Sequence, residues 1–94
     1  MYNQQMSSLL FRAHAAQRMF EREISVDKVR RALETADVIE DYSSEMPEPS
    51  RLMFGQQGKR PFHVVTSEDD LQTTIITVYL PTSDKWRKDF RTRR

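Results

Sequence analysis

From Ser8 onward the apolar residues Leu9, Ala13, Ala16, Phe20 and Ile24 recur at three- and four-residue steps. That spacing returns to one side of an α-helix every turn and predicts a first amphipathic helix from Ser7 or Ser8 to Glu23. Ser25 then has the position of an N-cap, with Asp27 in the first turn, where negative charge favours the exposed amides. Val26, Val29, Ala32 and Leu33 form the stripe of a second helix expected to end near Thr35 or Ala36. Beyond it the pattern becomes β-type. Val38–Tyr42, Arg51–Gln56 and Pro61–Thr66 predict three strands, and Thr73–Leu80 (TTIITVYL) predicts a fourth. The fourth is apolar on both alternations, as a central strand covered on two faces is. SSEMPEPS reads as an exposed loop, GQQGK with the only two glycines as a hairpin turn, and SEDDLQ as another turn. Pro81 closes the last strand, and TSDKWRKDFRTRR is expected to be a short helix or a docked extension carrying Trp86 and Phe90. The order α-α-β-β-β-β predicts an α+β fold, two N-terminal helices packed on a four-stranded, mainly antiparallel sheet.

Length narrows this to a single domain, 94 residues being enough for one core but not two. Its expected core spans residues 7–83, and residues 84–94 form a short basic C-terminal extension. That extension holds six basic and two acidic residues, a local charge of +4 in a chain whose net charge is +1. A short cationic run usually marks a solvated terminus, and less often a contact for nucleic acid or an acidic partner. Cysteine is absent, which removes disulfides, thiolate catalysis and cysteine-ligated zinc. With two histidines and no tight carboxylate cluster, neither a metal site nor a cofactor is expected. No apolar run approaches the roughly 18 to 20 residues of a membrane span. The opening MYNQQMSS lacks the basic start and apolar centre of a secretory signal, so a cytoplasmic protein is expected.

The candidate chemistry lies on two elements. At 100° per residue, His14, Arg18, Glu21 and Arg22 fall within about one third of a turn, roughly opposite a Phe20-centred apolar face. As solvated helix charges they contribute at most a few tenths of a kcal/mol. On the sheet, alternation sets His63 opposite Phe62 and Val64, while Thr77 and Tyr79 share a face with Ile75. If the helix stripe bordered that face, one cleft would hold two imidazoles, a phenol and several guanidiniums. Such a set suits metal-independent RNA cleavage, which needs a base for the 2′-hydroxyl, an acid for the leaving 5′-oxygen and cations around the phosphorane. His14 would be base or acid, His63 or Tyr79 its complement. Arg18, Arg22, Arg51, Thr77 and Lys85 are the expected substrate contacts, with the tail adding salt-sensitive attraction. The plainer readings make His63 a sheet-edge histidine, Tyr79 a half-buried packing residue, and Trp86 and Phe90 anchors of the tail.

In combination, HAAQRMFEREIS, PSRLMFG, FHVVT, IITVYLP and the tail DKWRKDFRTRR resemble a bacterial family of small domains of unknown function, over roughly Phe11 to Arg91. The resemblance implies a relation to RelE-type toxins and to the barnase and colicin nuclease fold. The resemblance implies a RelE-like, barnase-like α+β domain and, for some relatives, the toxin of a toxin–antitoxin pair with a small zinc- and DNA-binding antitoxin as partner. The positions that match are His14, Arg18 and Arg22 on the helix and Thr77 and Tyr79 on the last strand; His63 rests on the residue reading alone. The expected function is therefore an endoribonuclease toxin with RNA and a cognate antitoxin as partners. The competing expectations are a non-catalytic RNA- or protein-binding module of the same fold and a homodimeric structural domain joined through an exposed strand.

Overall fold

The computed structural model describes residues 8–42, 44, 48–69 and 71–94. The chain runs β1 (Ser8–Phe11), α1 (Ala13–Arg22), α2 (Val26–Thr35), β2 (Val38–Tyr42), β3 (Ser50–Gln57), β4 (Arg60–Glu68) and β5 (Gln72–Tyr79). Half of the predicted SSEMPEPS loop and all but the last residue of the MYNQQMSS start lie outside the described residues. All five strands form one sheet in the order β1-β5-β4-β3-β2. The neighbours from β2 to β5 are antiparallel, whereas β1 runs parallel to β5.

The sheet is thus five-stranded and mixed, not four-stranded, and the first helix begins at Ala13 rather than at Ser7 or Ser8. The reason is that Leu9 suits both periods: it precedes Ala13 by four residues, as on a helical stripe, and alternates with Phe11, as in a strand, and pairing with β5 decides between them. Leu9 lies opposite Thr73 and Phe11 opposite Ile75, and the Arg12 amide continues the ladder by donating to the Ile75 carbonyl at 3.1 Å. Each helix is ten residues long and closes on a left-handed residue, Glu23 at φ 56° and Ala36 at φ 54°. Ser25 does cap α2, its hydroxyl accepting from the Lys28 amide at 3.1 Å.

Both helices lie on one face of the sheet, α1 over β5 and α2 over β3. The core between them joins Ala15, Met19, Val29 and Ala32 to Phe62, Val64, Ile75 and Val78. The inward side of α1 is therefore the Ala15–Met19 stripe, and Phe20, which centred the expected apolar face, is 86% exposed. The expected alternation on β5 also breaks. Val65 pairs with Thr77 and Thr66 with Ile75, so Ile76 is left without a partner across the ladder. This bulge turns Ile75 and Val78 to the same, helix-covered side and leaves Thr77 and Tyr79 on the other.

The glycines act differently from the single turn expected of them. Gly58, at φ 64°, is the first residue of the two-residue loop between β3 and β4. Gly55 lies inside β3, where a Cβ would stand 2.5 Å from the Phe62 ring and 2.9 Å from the Ala32 methyl. Its lack of a side chain is what allows α2 to sit directly on the sheet.

The C-terminal segment is a docked extension rather than a helix. It crosses the sheet face that the helices leave bare, with Trp86 2% exposed. Trp86 and Arg93 form a bridge, Arg87 donates to the Thr92 carbonyl at 2.8 Å, and Asp89 Oδ1 accepts from the Arg91 and Thr92 amides. Two arginines tie this loop to the body. Arg91 pairs with Asp37 and lies 4.1 Å over the Phe54 ring, and Arg93 makes a forked pair with Glu40 at 2.7 and 3.0 Å.

Candidate functional site

His63 and Tyr79 are directly opposite on β4 and β5, and strand alternation sends both to the face beneath the C-terminal segment. His63 is fully buried. Its Nε2 is 2.7 Å from the Phe90 carbonyl and its Nδ1 is 3.1 Å from the Tyr79 hydroxyl. A carbonyl only accepts, so Nε2 carries the proton; in the neutral ring Nδ1 must then accept from Tyr79. Burial favours that neutral form and holds the His63 pKa below its ordinary value, against the Phe90 carbonyl and Glu40, which raise it. Burial likewise raises the Tyr79 pKa, keeping the phenol protonated. Edge-on contacts complete the cage, with ring centroids 4.6 Å away at Trp86 and 5.1 Å at Tyr79.

Tyr79 also faces outward. It lines a pocket of about 330 Å³ with Pro81, Thr82, Lys85, Trp86 and Arg93. Two cationic side chains and a phenol held by a buried imidazole thus meet at the end of β5. Arg93 is partly neutralised by Glu40, and lies 4.6 Å from the Trp86 ring centroid, so Lys85 is the more available charge. A second cavity of about 320 Å³ lies at the opposite end of the sheet, between Leu33 and Val38 and the buried Thr66 and Thr73. It contains none of the groups gathered around Tyr79.

The expected common cleft is not assembled. His14, Arg18 and Arg22 lie on α1, on the helix-covered side of the sheet, whereas His63, Thr77 and Tyr79 point to the other side. The two imidazoles cannot share a phosphate across an intact sheet. The helix stripe flanks the buried Ala15–Met19 stripe instead of standing opposite an apolar face. His14 is exposed and makes no hydrogen bond or ion pair with the described residues, and Arg18 is 3.9 Å from Glu21. Arg51 is also elsewhere: it pairs with Asp41 at 3.6 Å and lines the second cavity. Of the expected residues, the structure brings together His63, Tyr79 and Lys85. Arg93, Glu40 and the Phe90 carbonyl were not anticipated, because the Phe90–His63 and Arg93–Glu40 bonds join residues 27 and 53 positions apart along the chain and no spacing links them.

Among the described residues no group of three or more histidine or carboxylate side chains converges. Nor is any helix among them long and apolar enough to cross a membrane.

Fold and pocket together define a small α+β domain with two helices on one face of a mixed sheet and an aromatic, cation-lined pocket on the other. Residues 11–80 match the family model described as domain of unknown function (DUF4258), and the chain belongs to that family. No curated protein matches the chain. No solved structure does either.

Proposed function

We propose that this domain is a metal-independent ribonuclease whose reactive end is the Tyr79 pocket, in the manner expected of a RelE-like toxin neutralised by a cognate antitoxin. The observation that supports this reading is Tyr79, whose hydroxyl is hydrogen-bonded to a buried neutral imidazole and which lines one pocket with Lys85 and Arg93. In the proposed step the RNA 2′-hydroxyl gives its proton to the Tyr79 oxygen while the Tyr79 proton passes to His63 Nδ1. The 2′-oxygen bonds to phosphorus, the bond from phosphorus to the 5′-oxygen breaks, and the leaving oxygen takes a proton from the Lys85 ammonium. The products are a 2′,3′-cyclic phosphate and a 5′-hydroxyl end. Arg93 and Lys85 offset the charge gathered on the phosphorane.

The test is cleavage of a mixed-sequence RNA by the purified chain in excess chelator. Wild type should yield cyclic-phosphate ends, and Tyr79→Phe should lower the rate by about a hundredfold or more. Intact RNA with wild type, or equal rates for the two proteins, sinks the reading.

The exposed His14, Arg18 and Arg22 support a second reading, a binding surface for RNA on α1. In that case Arg18→Ala with Arg22→Ala weakens RNA binding, and Tyr79→Phe leaves it unchanged.

A further inference from the structure

The matched region stops at residue 80, yet most of the residues lining the pocket lie beyond it. Of the seven, only Tyr79 and Leu80 belong to that region. Residues 81–94 therefore do more than cover a sheet face.

Asp89 organises the segment. Its Oδ1 accepts from two backbone amides at 2.9 and 3.1 Å and its Oδ2 from the Thr92 hydroxyl at 2.9 Å. These bonds close a tight loop that holds Phe90 at φ 55°, a left-handed conformation that is strained for a residue with a Cβ. The strained residue is the one whose carbonyl meets His63. A backbone acceptor at that point has a determinate chemical effect. It binds the ring proton at Nε2, so Nδ1 is an acceptor, so the Tyr79 proton turns inward and the remaining lone pairs of the phenolic oxygen are left to the pocket. With the opposite tautomer, Nδ1–H would donate to Tyr79, and its oxygen would present a proton to any ligand instead.

We infer that the C-terminal segment is the positioning element of the Tyr79 pocket: the Phe90 carbonyl, set by the Asp89 loop, fixes the His63 tautomer that makes the Tyr79 oxygen an acceptor. The functional consequence rests on the ribonuclease reading; the proton arrangement does not. The class of ligand that fits is one offering a hydroxyl donor beside an anion, as a ribose 2′-hydroxyl beside its phosphate does.

The experiment is nitrogen-15 NMR of the His63 ring in the full chain near neutral pH, without RNA. Wild type should show Nε2 protonated and slow to exchange with solvent, and Nδ1 unprotonated. Tyr79→Phe should shift Nδ1 and leave Nε2 as it is. Asp89→Ala, at a residue that neither lines the pocket nor touches His63 itself, should mix the tautomers and speed Nε2 proton exchange by about tenfold or more. Asp89→Asn keeps the Oδ1 acceptor and should restore the wild-type spectrum. A wild-type ring protonated at Nδ1, or an Asp89→Ala ring unchanged in both tautomer and exchange, overturns the inference. Because no RNA is added, that outcome is separable from a failure of cleavage.

Discussion

The His63 imidazole stands edge-on to the Trp86 indole, ring centroids 4.6 Å apart and planes at 87°. Trp86 is the sole tryptophan, so its fluorescence reports the protonation of a single buried ring. An imidazolium at that distance quenches an indole. The folded pKa of His63 lies below its ordinary 6.5. On acidification the unfolded chain therefore takes up this proton first, and stability present above about pH 6.5 is lost as pH falls towards the folded pKa. The slope cannot exceed about 1.4 kcal/mol per pH unit for one group. Glu40, which raises the pKa, and Arg91 and Arg93, which lower it, are the other charges acting on the ring. Denaturant titrations from about pH 8 to 5 should show this loss in wild type and a shallower one in His63→Gln; equal slopes in the two would contradict it.

Met19 and Phe20 are neighbours in sequence and opposites in energy. Met19→Ala removes a side chain from the core beneath α1 and should cost about 2–5 kcal/mol. Phe20→Ala removes one that is almost wholly in water and should stay within about 0.5 kcal/mol of wild type. Thermal or urea unfolding of both variants checks the assignment, and a larger loss at Phe20 would mean that α1 is rotated from the face described.

Gly55→Ala places a methyl 2.5 Å from a Phe62 ring that is fully buried and has no space to retreat. The expected destabilisation is about 1–3 kcal/mol, through separation of α2 from β3. A melting temperature equal to wild type would show that the contact is looser than its geometry implies.

The α1 stripe and the Tyr79 pocket make different predictions for salt. If RNA lies along α1, replacing Arg18 and Arg22 with alanine removes up to two phosphate contacts, and the slope of log affinity against log salt should become shallower by roughly 0.7 per contact on a single strand. Lys85→Ala should do this if the pocket holds the phosphate. Filter binding across a salt series separates the two surfaces.

Local chemistry makes much of the fold legible. The Ser25 cap, the bounds of α2 and β2, and the set of strands from β2 to β5 are consequences of side-chain period and turn residues, which act within a few positions of each other. Alternation also sets His63 opposite Phe62 and Val64, as the structure has it, since a pleated strand admits no other arrangement. The same arithmetic fails on β5, where the bulge at Ile76 changes which residues share a face, and on Ser8–Phe11, whose apolar spacing suits two structures.

By itself, then, the sequence determined an α+β domain, one capped helix, four strands and a short list of chemically able side chains, because each depends on contacts within a turn or a strand. Tertiary structure alone decided that Ser8–Phe11 pairs with β5, that α1 turns Met19 inward and Phe20 outward, and that His14 and His63 lie on opposite sides of the sheet. It also decided that Phe90 reaches His63 and that Arg93 reaches Glu40. These are unions of residues far apart in the chain, and their free energy comes from burial and hydrogen bonds that exist only once the sheet and the C-terminal segment have come together.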